Sequence, residues 1–307
     1  MKVYIDSKFI VQSVIQEMVS SFRHVEFVDD LNHPDIEVAM VPWATFITEE
    51  NLSKLPNLKW IQLLSAGYDG TDFSLLKRHG IVFTNAKDIY HISMSEDVIT
   101  KILTLNRNVG YYLENMKQGV WKPIRKEPEI YGSTVGILGT GSIAKEIAKR
   151  LKAFDTTVLG YRKTMRPEIG FDETLYGNDG LESLLQRSDI IIVTLPLNDQ
   201  TRNLLNREKL SLMKENALFI NVARGAIVDQ EALTELLRTK KIRGAGLDVT
   251  VPEPLPPTHE LWTLPNVFIT PHNSSSSPHL LARLKELMSD NLNRYLSGEA
   301  LKFVCHE

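Results

Sequence analysis

The sequence predicts an α/β protein made of two domains, each built on a doubly wound parallel sheet. Short strand-like apolar runs alternate with longer stretches whose apolar residues recur at helical spacing. The chain has 307 residues, and at roughly 100 to 200 residues per domain this length allows two domains that each bury a core. In the second half, a glycine-rich turn joins a strand-like run to a helix-like run, which is typical of such sheets.

In the first half, four runs are predicted as strands and two as helices. The predicted strands cover residues 3–5, 37–41, 58–64 and 81–84, and the predicted helices cover residues 11–22 and 73–78. The second of these helices ends at His79-Gly80, where glycine can adopt the left-handed conformation that closes a helix.

A single long helix is predicted over residues 93–118. It opens with Ser-Met-Ser-Glu at 93–96, which has the spacing of a capping box, and apolar residues then recur every three or four positions. Ile99, Leu103 and Tyr112 widen the apolar surface beyond one stripe. This excess surface predicts contact with a second copy of the chain in a homodimer.

Six strands and a final helix are predicted in the second half. The strands cover residues 134–138, 157–161, 190–195, 218–222, 246–249 and 267–270. Their even spacing suits one doubly wound sheet. The last helix has its apolar residues on one stripe over residues 281–296, and it ends at Gly298 before a short apolar run at 301–304.

The turn after the first of these six strands has the pattern Gly-x-Gly-x-x-Ala. It is Gly139-Thr140-Gly141-Ser142-Ile143-Ala144, and a helical stretch follows directly. Gly139 permits a tight turn, Gly141 lets the backbone approach a pyrophosphate, and Ala144 lets the helix pack closely on the strand. The helix N-terminus adds amides and a partial positive charge. Residues 139–143 are therefore predicted to bind a dinucleotide, the alternative being a tight turn without a ligand.

The end of the second strand of this sheet predicts which dinucleotide is preferred. An acidic residue that holds the ribose 2′-hydroxyl is expected there, but the strand ends in Arg162-Lys163, and Asp155 precedes the strand. Arginine and lysine suit a 2′-phosphate instead. We therefore predict NADP as the preferred cofactor and NAD as the second choice. The alternative is that Arg162 and Lys163 are solvated surface cations.

Three further strands of the second sheet are each followed by one ionisable side chain. These are Arg224 in Asn-Val-Ala-Arg-Gly at 221–225, Glu253 in Glu-Pro-Leu at 253–255, and His272 in Pro-His at 271–272. Because open α/β sheets bind ligands at the carboxyl ends of their strands, we expect these side chains to face one site. A histidine can exchange a proton with a bound ligand near neutral pH, and arginine presents a planar fork of donors that matches a carboxylate.

These motifs together make the chain similar to the D-isomer-specific 2-hydroxyacid dehydrogenase family, which includes glyoxylate/hydroxypyruvate reductases and phosphoglycerate dehydrogenases. The resemblance covers nearly the whole chain and rests on the glycine turn, the Asn-x-Ala-Arg-Gly segment, Leu-Asp-Val at 247–249 followed by Glu-Pro-Leu, and Pro-His. It implies that Arg224 binds the substrate, that Glu253 orients the histidine, and that His272 is the general acid and base.

The resemblance implies further contacts in both domains. Ala66 and Gly67 would hold the substrate carboxylate through their amides, and Asp248 would lie on the nicotinamide side of the cofactor. Ser274, between two other small polar residues, could reach the cofactor amide. The predicted cofactor contacts are completed by four residues at the carboxyl ends of two predicted strands of the second sheet: Leu195, Pro196, Val222 and Ala223.

The implied architecture is a Rossmann-type cofactor domain inserted in a flavodoxin-like substrate domain. The cofactor domain covers residues 99–279, and the substrate domain covers residues 1–98 and 280–307. We expect the active site in the cleft between the domains, where hinge closure would exclude water. The implied reaction is hydride transfer between NAD(P)H and a small 2-keto or D-2-hydroxy acid of the glyoxylate or hydroxypyruvate type.

Two alternative functions stay open at this point. Phosphoglycerate dehydrogenases of the family usually carry an Arg-Ser pair where this chain has Pro42-Trp43, so a phosphorylated substrate is disfavoured. Trp43 either walls a small pocket or packs in a core. The second alternative is a dinucleotide-sensing regulator of the same fold, similar to a transcriptional corepressor, and the intact Arg224, Glu253 and His272 argue against it.

The composition argues against several other classes of protein. The formal net charge of −3 provides no field for nucleic acid or for an anionic bilayer, and no apolar run approaches the ~18 residues of a membrane span. The single cysteine, Cys305, can form neither an internal disulfide nor a cysteine metal cage, which fits a reducing compartment. The first residues resemble a strand rather than a signal peptide. We therefore expect a cytoplasmic protein with a small-molecule substrate and no metal.

Overall fold

The computed structural model describes residues 1–8, 10 and 12–306. The chain forms two compact units, one made of Met1–Tyr90 with Ser277–Glu307 and the other of His91–Ser276. The sequence placed the boundaries after residues 98 and 279, whereas the structure places them after Tyr90 and Ser276. The first boundary differs because the helix expected from residue 93 already starts at His91 and packs on elements of the second unit.

The first unit contains a five-stranded parallel sheet. Its strands are β1 (Lys2–Ile5), β2 (Glu26–Val28), β3 (Ile36–Val41), β4 (Trp60–Leu63) and β5 (Val82–Thr84). Their order is β2-β1-β3-β4-β5, the flavodoxin-like order, which confirms the predicted fold class. The strand β2 was not predicted. It is a three-residue edge strand in which one residue is exposed and two are partly buried, so it has no buried apolar run.

Three helices connect these strands: α1 (Gln12–Ser21), α2 (Glu49–Ser53) and α3 (Phe73–Arg78). The predicted first helix agrees with α1, and Val11, where it was expected to begin, lies outside the described residues. Side chains cap two of the helices, since Thr48 accepts a hydrogen bond from the amide of Asn51 and Asp72 accepts one from the amide of Leu75.

The second unit contains a seven-stranded parallel sheet with helices on both faces. Its elements are α4 (His91–Asn106), α5 (Val109–Lys117), β6 (Thr134–Leu138), α6 (Ser142–Lys152), β7 (Thr157–Arg162), β8 (Glu173–Tyr176), α7 (Gly177–Arg187), β9 (Ile190–Val193), α8 (Arg207–Ser211), β10 (Leu218–Asn221), α9 (Gln230–Arg238), β11 (Gly244–Leu247) and β12 (Val267–Ile269). The strand order is β12-β11-β10-β9-β6-β7-β8, which confirms a doubly wound Rossmann-type sheet. The six predicted strands are present, and β8 is an additional short edge strand.

The prediction of one long helix over residues 93–118 is wrong. Asn108 has a φ of +48°, in the left-handed region, and this residue separates α4 from α5. Its side-chain amide donates to Glu127 Oε1 at 3.2 Å. The predicted capping box is also wrong, because α4 starts at His91 and Ser93 lies in its first turn. Apolar spacing did not reveal the break, since it continues from one helix into the other.

The last helix, α10 (Leu280–Ser297), belongs to the first unit and ends as predicted at Gly298, which has a φ of +70°. Leu284, Met288 and Leu292 of this helix are buried in the core of that unit. Beyond it, Val304 forms an isolated antiparallel bridge with Thr84. Within the described part of the chain, no helix has both the length and the apolar character needed to cross a membrane.

The parallel order of the second sheet decides where its ligands can bind. All strand pairs in it are parallel, so the carboxyl ends of the seven strands share one edge, called here the carboxyl edge. β6 and β9 are neighbours, and the connection after β6 leads to β7 on one side, whereas the connection after β9 leads to β10 on the other side. Such a switch point opens a crevice between the loops after β6 and β9, where doubly wound sheets bind their ligands.

Candidate active site

The glycine turn after β6 has one glycine that the fold requires. Gly139 has a φ of +113°, and a Cβ atom there would lie 2.5 Å from Thr194 Oγ1. Both the backbone conformation and the close approach of the loop after β9 therefore exclude a side chain. The Thr194 hydroxyl donates to the carbonyl oxygen of Leu138 at 2.9 Å, which ties the two loops of the switch point together.

The second glycine of the turn has open space beside it. A Cβ atom on Gly141 would meet no described atom within 4 Å, and its φ is −74°, so neither packing nor backbone conformation demands glycine there. Gly141 is the N-cap of α6 and has no side chain with which to bind the amides of the first turn. Ala144 is fully buried, as close helix–strand packing requires. These residues fit a pyrophosphate, which helix N-termini bind through free amides.

Arg162 is the last residue of β7 and lies at the carboxyl edge. Its Nη1 donates to Glu168 Oε1, and Lys145 Nζ lies 2.9 Å from Glu168 Oε2. β7 itself ends without an acid, as predicted, but the loop after β7 brings Glu168 back onto Arg162. Sequence spacing could not reveal this contact, since it depends on how the loop folds. Lys163 Nζ instead donates to Gln200 Oε1 at 2.6 Å.

Arg224 follows β10 in a tightly packed turn. The Asn221 side chain accepts a hydrogen bond from the amide of Ala223 at 3.0 Å and donates one to the carbonyl oxygen of Arg224 at 3.1 Å. A Cβ atom on Gly225 would lie 2.3 Å from the carbonyl oxygen of Thr250. Glycine therefore lets the turn with Arg224 contact the loop that carries Glu253.

The predicted partnership of His272 and Glu253 is present in the structure. His272 Nδ1 lies 2.8 Å from Glu253 Oε2, and the other carboxylate oxygen, Oε1, accepts from the amide of Thr250 at 3.1 Å. Both side chains are partly exposed. Because Nδ1 contacts the carboxylate, Nε2 is the nitrogen with which His272 can exchange a proton with a ligand.

Asp248 anchors the loop that carries His272. The His272 φ is +51°, and its amide donates to the carbonyl oxygen of Asp248 at 2.9 Å. The Asp248 carboxylate accepts from the amides of Asn273 and Ser274, at 3.0 and 3.1 Å. Burial acts to raise the pKa of Asp248, but hydrogen bonds from Ser274 and Thr270 outweigh it and hold the pKa below its ordinary value. Asp248 is 2% exposed, and its predicted cofactor contact stays a prediction.

A buried lysine that the sequence analysis did not single out supports this anchor. Lys101 in α4 is fully buried, and its Nζ donates to Asp97 Oδ2 at 2.5 Å and to Thr270 Oγ1 at 2.7 Å. Thr270 in turn donates to Asp248 Oδ1 at 2.6 Å. A Cβ atom on Gly246 would lie 2.8 Å from Lys101 Cβ, so this glycine makes room for the lysine. A lysine at a core position of a helix is the sequence signal that could have revealed this network.

The predicted substrate loop of the first unit follows β4. The carbonyl oxygen of Ala66 accepts from Asn85 Nδ2 at 2.7 Å, and that of Gly67 accepts from Ser65 Oγ at 2.9 Å. Within the part of the chain that the structure describes, the amides of Ala66 and Gly67 have no hydrogen-bond acceptor. The loop is therefore held by its carbonyl groups and keeps two amide donors for a ligand.

The remaining predicted residues lie in several environments. Trp43 is 57% exposed, so the alternative in which it packs in a core is wrong. The other predicted cofactor contacts follow strands of the second sheet; Val222, Ala223 and Ser274 are buried, while Thr140, Ser142, Ile143, Leu195 and Pro196 are partly or fully exposed.

Among residues 1–8, 10 and 12–306, no group of three or more histidine, cysteine or acidic side chains is placed to hold a metal ion.

The carboxyl edge of the second sheet thus combines a glycine turn that fits a pyrophosphate with a histidine that can exchange a proton. Hydride transfer to a carbonyl group needs a bound hydride donor and a proton donor, so this combination fits an NAD(P)-dependent oxidoreductase. The chain belongs to the D-isomer specific 2-hydroxyacid dehydrogenase family, because the model of that family's NAD binding domain matches residues 99–274.

Relatives with curated names agree with this family. The chain is 36% identical over 261 residues to glyoxylate reductase of Thermofilum pendens, covering 82% of this chain and 76% of the relative. It is 34% identical over 271 residues to D-3-phosphoglycerate dehydrogenase of Methanocaldococcus jannaschii, covering 88% of this chain. The chain spans 52% of the length of that second relative.

Solved structures share the fold over the whole chain. An acyclic imino acid reductase in complex with NADPH and D-Arg has a TM-score of 0.87 and 27% identity, with full coverage of both chains. A D-isomer specific 2-hydroxyacid dehydrogenase from Xanthobacter autotrophicus Py2, in complex with NADPH and MES, has a TM-score of 0.83 and 26% identity, covering 99% of this chain and 97% of that one.

Proposed function

We propose that the protein reduces a small 2-keto acid, of the glyoxylate or hydroxypyruvate type, to the D-2-hydroxy acid with a nicotinamide cofactor. The main support is the 2.8 Å contact between His272 Nδ1 and Glu253 Oε2, on the same sheet edge as the glycine turn and Arg224. The glyoxylate reductases among the relatives support the substrate class.

In this proposal, the residues of the chain bind the keto acid and supply the proton. Bound at the glycine turn, the nicotinamide cofactor supplies the hydride. Arg224 binds the substrate carboxylate and the neighbouring carbonyl oxygen with its planar fork of donors. His272 donates a proton from Nε2 to the carbonyl oxygen, and Glu253 contacts Nδ1 and fixes the orientation of the ring. The amides of Ala66 and Gly67 have no acceptor among the described residues, and this supports their proposed contact with the carboxylate.

The substrate assignment is tested by turnover. Purified protein is mixed with NADPH or NADH and a panel that contains glyoxylate, hydroxypyruvate, pyruvate and 3-phosphohydroxypyruvate, and cofactor oxidation is followed by absorbance. We expect steady turnover of glyoxylate or hydroxypyruvate. Preferred use of the phosphorylated keto acid would favour a phosphoglycerate dehydrogenase instead. Tight dinucleotide binding without turnover of any keto acid would favour a sensing regulator.

NADP as the preferred cofactor is part of the proposal, and it rests on Arg162 at the end of β7. A charge-assisted hydrogen bond contributes roughly 1.5 to 3 kcal/mol, and solvent exposure reduces this toward the lower figure. Arg162→Ala should therefore lower the ratio of kcat/KM for NADPH to kcat/KM for NADH by about tenfold, since 1.4 kcal/mol corresponds to that factor. An unchanged ratio in steady-state assays would contradict the preference.

A homodimer is also proposed, supported by the exposed apolar side chains of α5 and the residues after it. Leu113 and Met116 are 52% and 74% exposed, and Trp121 is fully exposed. Apolar residues clustered on one surface mark contact sites between chains. Light scattering at micromolar concentration should give the mass of two 34.8 kDa chains. A mass of one chain would contradict the dimer.

A cytoplasmic location completes the proposal. Cys305 is a free thiol, and burial raises its pKa to about 11, so this cysteine stays protonated at neutral pH. A chain without disulfides suits a reducing compartment.

A further inference from the structure

The carboxyl edge carries a cluster of charges that the proposed reaction does not use. Glu168 contacts three cations: Arg162 through Oε1, Lys145 through Oε2 at 2.9 Å, and Arg166, whose Nε lies 3.8 Å from Oε1. These four residues are named here the Glu168 cluster. The Glu168 side chain is 12% exposed and that of Arg162 is 23% exposed. Lys145 and Arg166 are 47% and 74% exposed, so the cluster is a half-open site in which one mostly covered carboxylate faces three positive charges.

The Glu168 contacts tie the middle of the loop after β7 to the sheet. The end of that loop is fixed separately: the ring of Phe171 fills space left by Gly160, where a Cβ atom would lie 2.8 Å away, and Asp172 accepts from the amide of Val158 at 2.7 Å. Met165 and Ile169, on either side of Glu168, are 85% and 93% exposed. The loop can therefore change at Glu168 while both of its ends stay in place.

Arg162 has a donor that the cluster leaves unused. Its Nε is buried and has no hydrogen-bond partner among the residues that the structure describes. A buried donor without a partner is costly, and arginine binds phosphate through several donors at once. The cluster also keeps a positive excess, because Glu168 offsets one of its three cations. Both features suit a dianion better than a single carboxylate.

We propose that Glu168 is a specificity-determining residue that competes with the ribose 2′-phosphate of NADP for Arg162 and Lys145. The inference rests on the proposed function, because it assumes that the adenosine ribose lies at the end of β7. A 2′-phosphate must displace the Glu168 carboxylate before it can bind both cations. The 2′-hydroxyl of NAD brings no charge that would compete with Glu168. Glu168 therefore weakens NADP binding and reduces the preference that Arg162 would give by itself.

The carboxylate is charged under ordinary assay conditions. The hydrogen bond from Lys145 lowers the pKa of Glu168, and although burial acts to raise it, the charges of Lys145, Arg162 and Arg166 keep the pKa below its ordinary value. The competition therefore persists across the neutral pH range.

Calorimetric titration with two nucleotide fragments tests the inference without hydride transfer. The probes are adenosine 2′,5′-bisphosphate and adenosine 5′-monophosphate, which differ only in the 2′-phosphate. Glu168→Gln keeps the length of the side chain and one oxygen acceptor but removes its charge. We expect this variant to bind the bisphosphate about tenfold more tightly, equal to about 1.4 kcal/mol, and the monophosphate with less than about a twofold change.

A matched control is Glu173→Gln, which removes the same charge from the neighbouring strand. Glu173 pairs with Arg187 and lies beside Leu159, at the other end of the paired strands from Arg162. This control should leave the affinities for both fragments unchanged.

Three results would overturn the inference: unchanged or weaker bisphosphate binding by Glu168→Gln, equal tightening for both fragments, or binding of neither fragment by the wild-type protein. Failure of the proposed reaction is a separate result, since it would leave keto acids unreduced while the fragment titrations still report on Glu168.

Discussion

Replacing His272 by glutamine is expected to lower kcat for keto-acid reduction by roughly 10² to 10⁴-fold, the usual contribution of a positioned general acid. Glutamine cannot exchange a proton near neutral pH, and Glu253 would lose the ring that it contacts at 2.8 Å. Cofactor affinity should change little, because the glycine turn and Arg162 are untouched. The measurements are steady-state kinetics and a fluorescence titration of NADPH.

The left-handed backbone at His272 makes a second variant necessary. Its φ is +51°, a region that asparagine tolerates better than glutamine does, so His272→Asn should stay folded and lose the same activity. His279→Gln is the matched control, since His279 is an exposed residue at the start of α10 in the other unit. Wild-type turnover in both His272 variants would show that another group supplies the proton.

Arg224 is expected to give a different kinetic pattern. Arg224→Ala removes the proposed carboxylate clamp, so KM for the keto acid should rise and kcat should fall, whereas the His272 variants should affect mainly kcat. Equal defects in kcat alone for both positions would contradict the separate roles of Arg224 and His272.

The largest expected effect on stability comes from Lys101→Met. Removing one partner of a buried ion pair costs roughly 3 to 5 kcal/mol, and the partial exposure of Asp97, at 18%, places the expected loss near the lower figure. Desolvation by burial already raises the pKa of Asp97. Loss of the lysine would therefore leave a carboxyl group that is costly to ionise. Thermal unfolding should show a midpoint lower by about 6 to 12 °C, at about 2 to 4 °C per kcal/mol for a unit of this size.

The chain offers a matched exposed pair as the control for Lys101. Glu50 and Lys54 are four positions apart, as Asp97 and Lys101 are, but both are exposed, and Lys54→Met should leave the midpoint unchanged. The double substitution Asp97→Leu with Lys101→Met should recover much of the loss, because an apolar pair can replace a buried ion pair. A Lys101→Met protein as stable as the wild type would show that the network is dispensable.

Lys101→Met should also affect the His272 loop. The hydrogen bonds run from Lys101 through Thr270 to Asp248, which holds the amides that follow His272. We therefore expect a moderate loss of kcat at temperatures where the variant is folded. Full activity at such a temperature would confine Lys101 to a structural role.

The sequence by itself determined the two sheets, the order of most elements and the family. Parallel strands are buried on both faces, so they leave apolar runs that local pattern reveals, as at 134–138 and 190–195. The site motifs were visible for a different reason: Gly139, Gly225 and the residues around His272 are required by local backbone geometry. The edge strands β2 and β8 were not predicted, since short and partly exposed strands have no such apolar run.

Tertiary structure decided what depends on contacts between segments distant in sequence or on the path of a loop. Asn108, whose backbone is left-handed, separates α4 from α5, and apolar spacing does not encode this break. Lys101 and Thr270 meet across 169 positions, so only the packed sheet reveals that the histidine loop rests on a buried lysine. Glu168 reaches Arg162 because the loop after β7 folds back, and this fold places an acid where the strand itself has none. Local periodicity reports which face of an element is buried, whereas pairing between charged groups depends on the three-dimensional path of the chain.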